Sequence, residues 1–172
     1  MAKDDISFSK NEREFKFGSK CIGISSNKTK FNFRVACIVE RDGQVLLHKQ
    51  KKDDFWNLIG GRLKYCETCE EAIRRELKEE IGCECKSAKI LRVCENFFEF
   101  KGTRFHEMLV IFGIELLGDI KKENIEEKIE IKWFSKQELE SIKIKPEFAK
   151  KMMLEKEEHL GWLVNDEIRS FV

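Results

Sequence analysis

Gly61-Arg62-Leu63-Lys64-Tyr65-Cys66-Glu67-Thr68-Cys69-Glu70-Glu71-Ala72-Ile73-Arg74-Arg75-Glu76-Leu77-Lys78-Glu79-Glu80-Ile81-Gly82-Cys83 reads as loop, helix, loop. Thr68 with Glu71 three residues on forms a capping box: the threonine oxygen accepts from an orphan backbone N–H, and the glutamate reaches back. The helix is predicted to start there and to stop at Gly82, the residue type that takes up the left-handed conformation after a last turn. Ile73, Leu77 and Ile81 recur at i, i+4 and i+8 and make an apolar stripe, while Glu76, Glu79 and Glu80 gather on a neighbouring face. Like charges so spaced weaken a helix by roughly a few tenths of a kcal/mol per pair, and the negative helix end adds to this. A cation must compensate. Arg74, Arg75 and Lys78 supply it if the face is merely solvated. A bound Mg²⁺ or Mn²⁺ supplies it if the carboxylates are ligands, because all-oxygen sites suit hard cations.

The whole stretch decides between these readings. Gly61, Glu67, Arg75, Glu76, Leu77, Glu79, Glu80 and Gly82 fall in the register Gly, five residues, Glu, seven residues, Arg-Glu-apolar-any-Glu-Glu-any-Gly-apolar, which resembles the Nudix hydrolase (MutT-like) signature. Cys83 stands where Ile, Leu or Val is usual, and Ile59 stands where proline commonly precedes the paired glycines. The resemblance implies an α+β protein with the α/β/α Nudix sandwich, a central mixed β-sheet flanked by helices. It also implies Mg²⁺-dependent (or Mn²⁺-dependent) hydrolysis of a pyrophosphate bond in a nucleoside diphosphate linked to another group. Under it, Glu76, Glu79, Glu80 and the carbonyl of Gly60 hold metal, and Glu76 doubles as base on the attacking water. Arg75 orients Glu76, and Glu67 braces the loop or holds an outer metal through water. A further carboxylate from outside the stretch would be Glu127 or Glu107, each weighed against an ordinary surface or structural acid. Arg34, a cation beside a buried run, is a candidate phosphate clamp or a solvated strand end. His48 and His159 have no partner at an informative spacing.

The chain has 172 residues, enough for one domain with one core. Lys plus Arg number 33 and Asp plus Glu 32, so a net charge of +1 offers no polyanion-binding surface and nucleic acid is not an expected partner. No apolar run approaches the ~18 residues of a membrane span, so the expectation is a cytoplasmic protein; the resemblance implies a small nucleotide substrate, and a homodimer is one option. Seven cysteines without a secretory signal read as free thiols. Cys66-x-x-Cys69 and Cys83-x-Cys85 flank the helix roughly 20 Å apart at 1.5 Å per residue, too far for a single zinc site without the loops folding back.

Around the central stretch, Ile6 and Phe8, then Phe15 and Phe17, suggest edge strands, with a turn in Ser25–Lys30. Phe31–Glu40 and Val45–Leu47 read as a hairpin closed by Asp42-Gly43, followed by a charged loop over Lys49–Asp54. Ala88–Phe100 and Arg104–Leu117 read as two long strands around Lys101-Gly102, and Ile129–Phe134 as another strand. Ser135 and Glu138 cap a short helix. Pro146 opens a last one, with Phe148, Met152, Met153 and Leu154 as its apolar side and a base-stacking role for Phe148 weighed against core packing. The Nudix resemblance covers about 31–145, with N-terminal strand additions and a C-terminal helix around it in a single domain over 1–172. Phe98 and Glu99 stand where ADP-ribose-cleaving relatives often have proline. Phe100 and Lys101 stand where dinucleoside-polyphosphate relatives often have tyrosine, and Leu47-His48-Lys49-Gln50 does not match the coenzyme A variant. These absences tilt the substrate toward a (deoxy)nucleoside triphosphate. An ADP-ribose or nucleotide-sugar pyrophosphatase is the alternative enzyme, and a silent nucleotide-sensing domain is the non-enzyme alternative.

Overall fold

Residues 21–26, 28–120, 128–155 and 160–168 are described by the computed structural model. The alternations at Ile6, Phe8, Phe15 and Phe17, together with Glu127 and His159, lie outside these residues. In chain order the elements are strands β1 (Gly23–Ser26), β2 (Thr29–Arg41), β3 (Gln44–Gln50), β4 (Trp56–Asn57) and β5 (Ile59–Arg62), then helix α1 (Cys69–Ile81) and the long strands β6 (Glu84–Phe100) and β7 (Thr103–Leu117). Strand β8 (Ile129–Ser135), helix α2 (Lys136–Ser141), strand β9 (Ile144–Lys145), helix α3 (Glu147–Glu155) and strand β10 (Gly161–Asp166) follow. They make one mixed sheet in the order β10-β6-β7-β2-β3-β4-β9, with β1 and β5 also on β2 and β8 also on β3. The β2–β7 pair is parallel and the β6–β7 pair antiparallel.

Local chemistry accounts for most of these boundaries. Asp42 and Gly43 both have positive φ, 51° and 75°, the pair of left-handed residues that a two-residue hairpin requires. Lys101 and Gly102 repeat the device between β6 and β7, at 51° and 72°. Ser135 caps α2 in a full capping box with Glu138. Alternation along the strands sorts the apolar residues onto two faces. Val35, Cys37 and Val39 of β2 and Val110 and Phe112 of β7 pack with Ile73, Leu77 and Ile81 of α1. Ala36, Leu109 and Ile111 point the other way, onto Leu139 of α2 and Ala149, Met152 and Met153 of α3. The α/β/α layering therefore stands. Each fully buried Ile or Leu of the α1 stripe contributes roughly 1.5–3 kcal/mol.

Three features differ from expectation. Strand β3 continues through Gln50, so the charged loop starts later than Lys49. Pro146 precedes α3 and accepts from the Ala149 N–H, so it stands before the first turn rather than in it. Phe148 is half-buried against the α3-side core. Helix α3 is not the last described element: β10 pairs in parallel with β6 from Gly161↔Arg92 to Asp166↔Phe97, so the sheet extends beyond 31–145 at both ends. Among the described residues no helix is long and apolar enough to cross a membrane. All seven cysteines are free thiols, and the two pairs lie at opposite ends of α1.

Candidate functional site

The site begins with the ends of α1. Thr68 accepts from the Glu71 N–H at 3.2 Å and Glu71 accepts from the Thr68 N–H at 2.8 Å, the reciprocal pair that fixes where the helix starts. Gly82, at φ 62°, closes it by donating its N–H to the last-turn carbonyl of Lys78. With both ends fixed and Ile73, Leu77 and Ile81 buried, rotation about the helix axis is fixed too. Glu76 then has to face β5.

That contact explains the paired glycines. A β-carbon on Gly61 would collide with both carboxylate oxygens of Glu76, and one on Gly60, at φ 151°, would collide with the Val35 carbonyl. Glycine at both positions lets β5 run between β2 and the helix while leaving a seat for a carboxylate. The Gly60 N–H donates to Glu80 Oε2 at 3.2 Å, so the second glutamate is tied to the same strand.

Arg75 organises the acids. Its Nε and Nη2 donate to the two oxygens of Glu67 at 2.7 and 3.0 Å, a bidentate fork. Its Nη1 donates to Glu76 Oε1 at 2.7 Å and to Glu79 Oε2 at 3.0 Å. The hydrogen bond from Arg75, supported by the Lys64 N–H, holds the Glu67 carboxyl below the usual carboxylate range. These carboxylates in turn hold the Arg75 guanidinium charged beyond question. The compensating cation for the acidic face is therefore Arg75, joined by Lys64 at 3.6 Å from Glu79. Arg74 and Lys78 do not serve: they pair with Glu70 and Glu84. Glu76 and Glu80 are mostly buried at 12% and 18% exposure, whereas Glu79 is 54% exposed.

His48, Arg34 and Glu107 sit in surroundings that the sequence does not announce. His48, expected to have no partner at an informative spacing, puts Nδ1 3.4 Å from Glu80 Oε2, and that nitrogen makes no hydrogen bond to any described group. Burial, aided by the charge of Arg34, pushes its imidazole down to about 4, so it is neutral near pH 7 and the contact is not an ion pair there. Arg34 is no strand-end charge. It sits mid-strand in register with Arg62, its Nε 4.0 Å from Glu107 Oε2. Glu107 is itself no surface acid, at 8% side-chain exposure. Because Arg34 and Glu107 share parity with Ala36 and Leu109, both lie on the sheet face away from α1. Glu107 is thus not part of the helix carboxylate group. Nothing in local spacing could have announced these contacts, since each joins elements distant in the chain.

Among the described residues no three His, Cys, Asp or Glu side chains converge as a finished metal cage. The donors nevertheless fit a hard divalent cation in kind: carboxylate oxygens only, one of them in a seat that any larger residue than Gly61 would fill.

The family profile described as the NUDIX domain matches residues 30–155. Putative nudix hydrolase 1 of Caenorhabditis elegans is 29% identical over 120 residues, covering 66% of this chain and 31% of that protein. An ADP-ribose pyrophosphatase of Methanocaldococcus jannaschii is 34% identical over 84 residues, covering 47% of this chain and 48% of its own length. The matches thus span a third to a half of these curated relatives. Among solved structures, the MutT protein of Bacillus halodurans superposes with a TM-score of 0.64 at 22% identity, over 79% of this chain and 91% of the other.

Proposed function

The chain belongs to the Nudix family, and on that premise we propose that it hydrolyses a pyrophosphate bond in a nucleotide derivative, with Glu76, Glu79, Glu80 and the carbonyl of Gly60 as the groups that would hold a divalent cation. Nudix enzymes generally use such a metal, and Mg²⁺ or Mn²⁺ is the choice that the oxygen-only donors favour. When bound, the cation supplies charge neutralisation of the phosphates and a lowered pKa for water. The observation that carries the reading is Glu76, seated against Gly61 and clamped by Arg75.

The chain's own residues do the rest. Arg75 takes Glu76 Oε1, which leaves Oε2 as the oxygen able to accept a proton from the attacking water. Glu67, by engaging two other donors of Arg75, stops the guanidinium from following Glu76 as it moves. The Gly60 N–H points Glu80 back toward β5. Arg34, beside Glu107 on the sheet face away from α1, stays our candidate for meeting substrate phosphates. Glu127 stays a candidate outside the described residues. A (deoxy)nucleoside triphosphate is the substrate we favour.

The test is a Mg²⁺ and Mn²⁺ hydrolysis screen over nucleoside triphosphates, nucleotide sugars, ADP-ribose and dinucleoside polyphosphates, with products identified, on wild type and Glu80→Gln. The expected outcome is turnover of at least one class, reduced about 10³-fold or more in a variant whose thermal melt is intact. An active Glu80→Gln protein removes the assignment, and no turnover by wild type favours a nucleotide-binding domain instead.

A further inference from the structure

A pocket of about 190 Å³ opens on the sheet face opposite α1, with Asn96, Glu107 and Leu109 in its floor, Phe98 and Phe55 at its sides and Arg34 at its edge. The hydrolytic chemistry proposed above uses none of these residues except Arg34.

Glu107 is buried, yet among the described residues no group donates to it within hydrogen-bond distance, and Arg34 Nε stays 4.0 Å away. The Glu107 carboxylate lines the pocket, so its oxygens are open to donors placed there. Asn96, 3% exposed, lies directly opposite Glu107 in the β6–β7 ladder. Asn165 Nδ2 donates to Asn96 Oδ1 at 2.7 Å, which fixes the amide and leaves Asn96 Nδ2 as its free donating end. The floor therefore presents two acceptor oxygens beside one N–H donor, next to an aromatic wall.

We propose that this pocket takes the base of a guanine-type nucleotide, with Glu107 accepting from N1–H and the 2-amino group and Asn96 donating to O6. The match is one of order as well as number. Guanine alone among the common bases offers two adjacent donors followed by an acceptor on one edge. Adenine and cytosine set their single amino donor beside a ring nitrogen acceptor, and uracil sets its N–H between two carbonyl oxygens. A carboxylate repels each of those acceptors. Phe98 and Phe55 give the flat apolar surface on which a base stacks. A nucleotide so seated has Arg34 in the same pocket lining to meet its phosphates. The assignment deepens the hydrolase reading and rests on it for the direction of the phosphates, although base recognition can be measured without turnover.

Two measurements keep the two readings apart. First, kcat/KM of wild type is compared for GTP, ITP, ATP, CTP and UTP, with ITP lacking only the 2-amino group. GTP is expected to lead, ITP to fall about 10-fold or more, and Glu107→Gln to lower the GTP-to-ATP ratio by a similar factor. Second, GDP, IDP and ADP are titrated calorimetrically without turnover. Preferential binding of GDP with no hydrolysis of any substrate class in the screen above upholds the pocket and sinks the hydrolase reading. Hydrolysis with GTP and ITP equal, or a wild type that binds GDP and IDP alike, overturns the pocket. The ITP and IDP comparisons need no variant, so a misfolded Glu107→Gln does not shield the proposal.

Discussion

Removing the Arg75 side chain isolates the interaction on which the whole acidic face depends. In Arg75→Ala, Glu67 loses two charge-assisted hydrogen bonds of 2.7 and 3.0 Å and Glu76 loses one of 2.7 Å. The side chains concerned are 18%, 13% and 12% exposed, buried enough that water does not replace the guanidinium freely. The fourth contact, to the exposed Glu79, is screened and adds at most about 0.5 kcal/mol. Stripping the cation from a buried pair costs roughly 3–5 kcal/mol, and because both acids keep an edge in solvent the low end, about 3 kcal/mol, is expected. The pH dependence fixes the cause. Arg75 lowers the folded pKa of Glu67, so this stability is fully present above the unfolded glutamate value of about 4.3 and is lost as pH falls through the lower folded value. Urea unfolding followed by circular dichroism, at about pH 7 and about pH 3.5 with the m-value checked for constancy, reads both numbers. A loss under about 1 kcal/mol at neutral pH, or a gap that persists unchanged in acid, refutes the ion-pair account. Arg75→Lys keeps the charge without the fork and should recover less than half of the loss.

Gly61→Ala places a methyl where the Glu76 carboxylate sits; activity should drop about 100-fold, the scale of a displacement near 1 Å at the reacting groups, with KM moving less than kcat. His48, held neutral down to about pH 4, takes up a proton in the unfolded chain near 6.5, so the unfolded state binds more protons in that window and stability falls as pH falls. Wild type should lose on the order of 3 kcal/mol there, whereas His48→Gln should show no such decline; parallel pH–stability curves for the two would refute it. Thr68→Ala removes the N-cap of α1 and should cost about 1 kcal/mol in a thermal or urea melt, while Thr68→Ser should restore most of it.

What the sequence disclosed was whatever neighbouring residues decide among themselves. The limits of α1 follow from Thr68, Glu71 and Gly82, its orientation from Ile73, Leu77 and Ile81, and the hairpin turns from Asp42-Gly43 and Lys101-Gly102. The acids of the site were legible because they share that helix. Strand β10 was not, since Trp162, Leu163 and Val164 become a strand only by pairing with β6, whose sequence lies far upstream. The roles of His106 and Glu107 show the same limit more sharply. Adjacent in sequence, they leave opposite faces of β7: His106 reaches Glu95 at 2.9 Å, while Glu107 turns into the pocket opposite Asn96. Strand alternation puts them on opposite faces, and the register of β6 against β7 gives each its neighbours.

Ile59 shows how a departure from the family pattern can be absorbed by the fold. Where proline is usual before the paired glycines, Ile59 is fully buried, pairs with Cys37 and packs in the cluster that holds α1. The stiffness that a proline ring would give the loop comes here from side-chain packing, at roughly 1.5–3 kcal/mol for a buried isoleucine. That anchoring acts on the residue immediately before Gly60, whose N–H holds Glu80, and two before Gly61, whose missing side chain admits Glu76. The position of both glutamates relative to the sheet is therefore set by one buried aliphatic residue as much as by the helix that carries them.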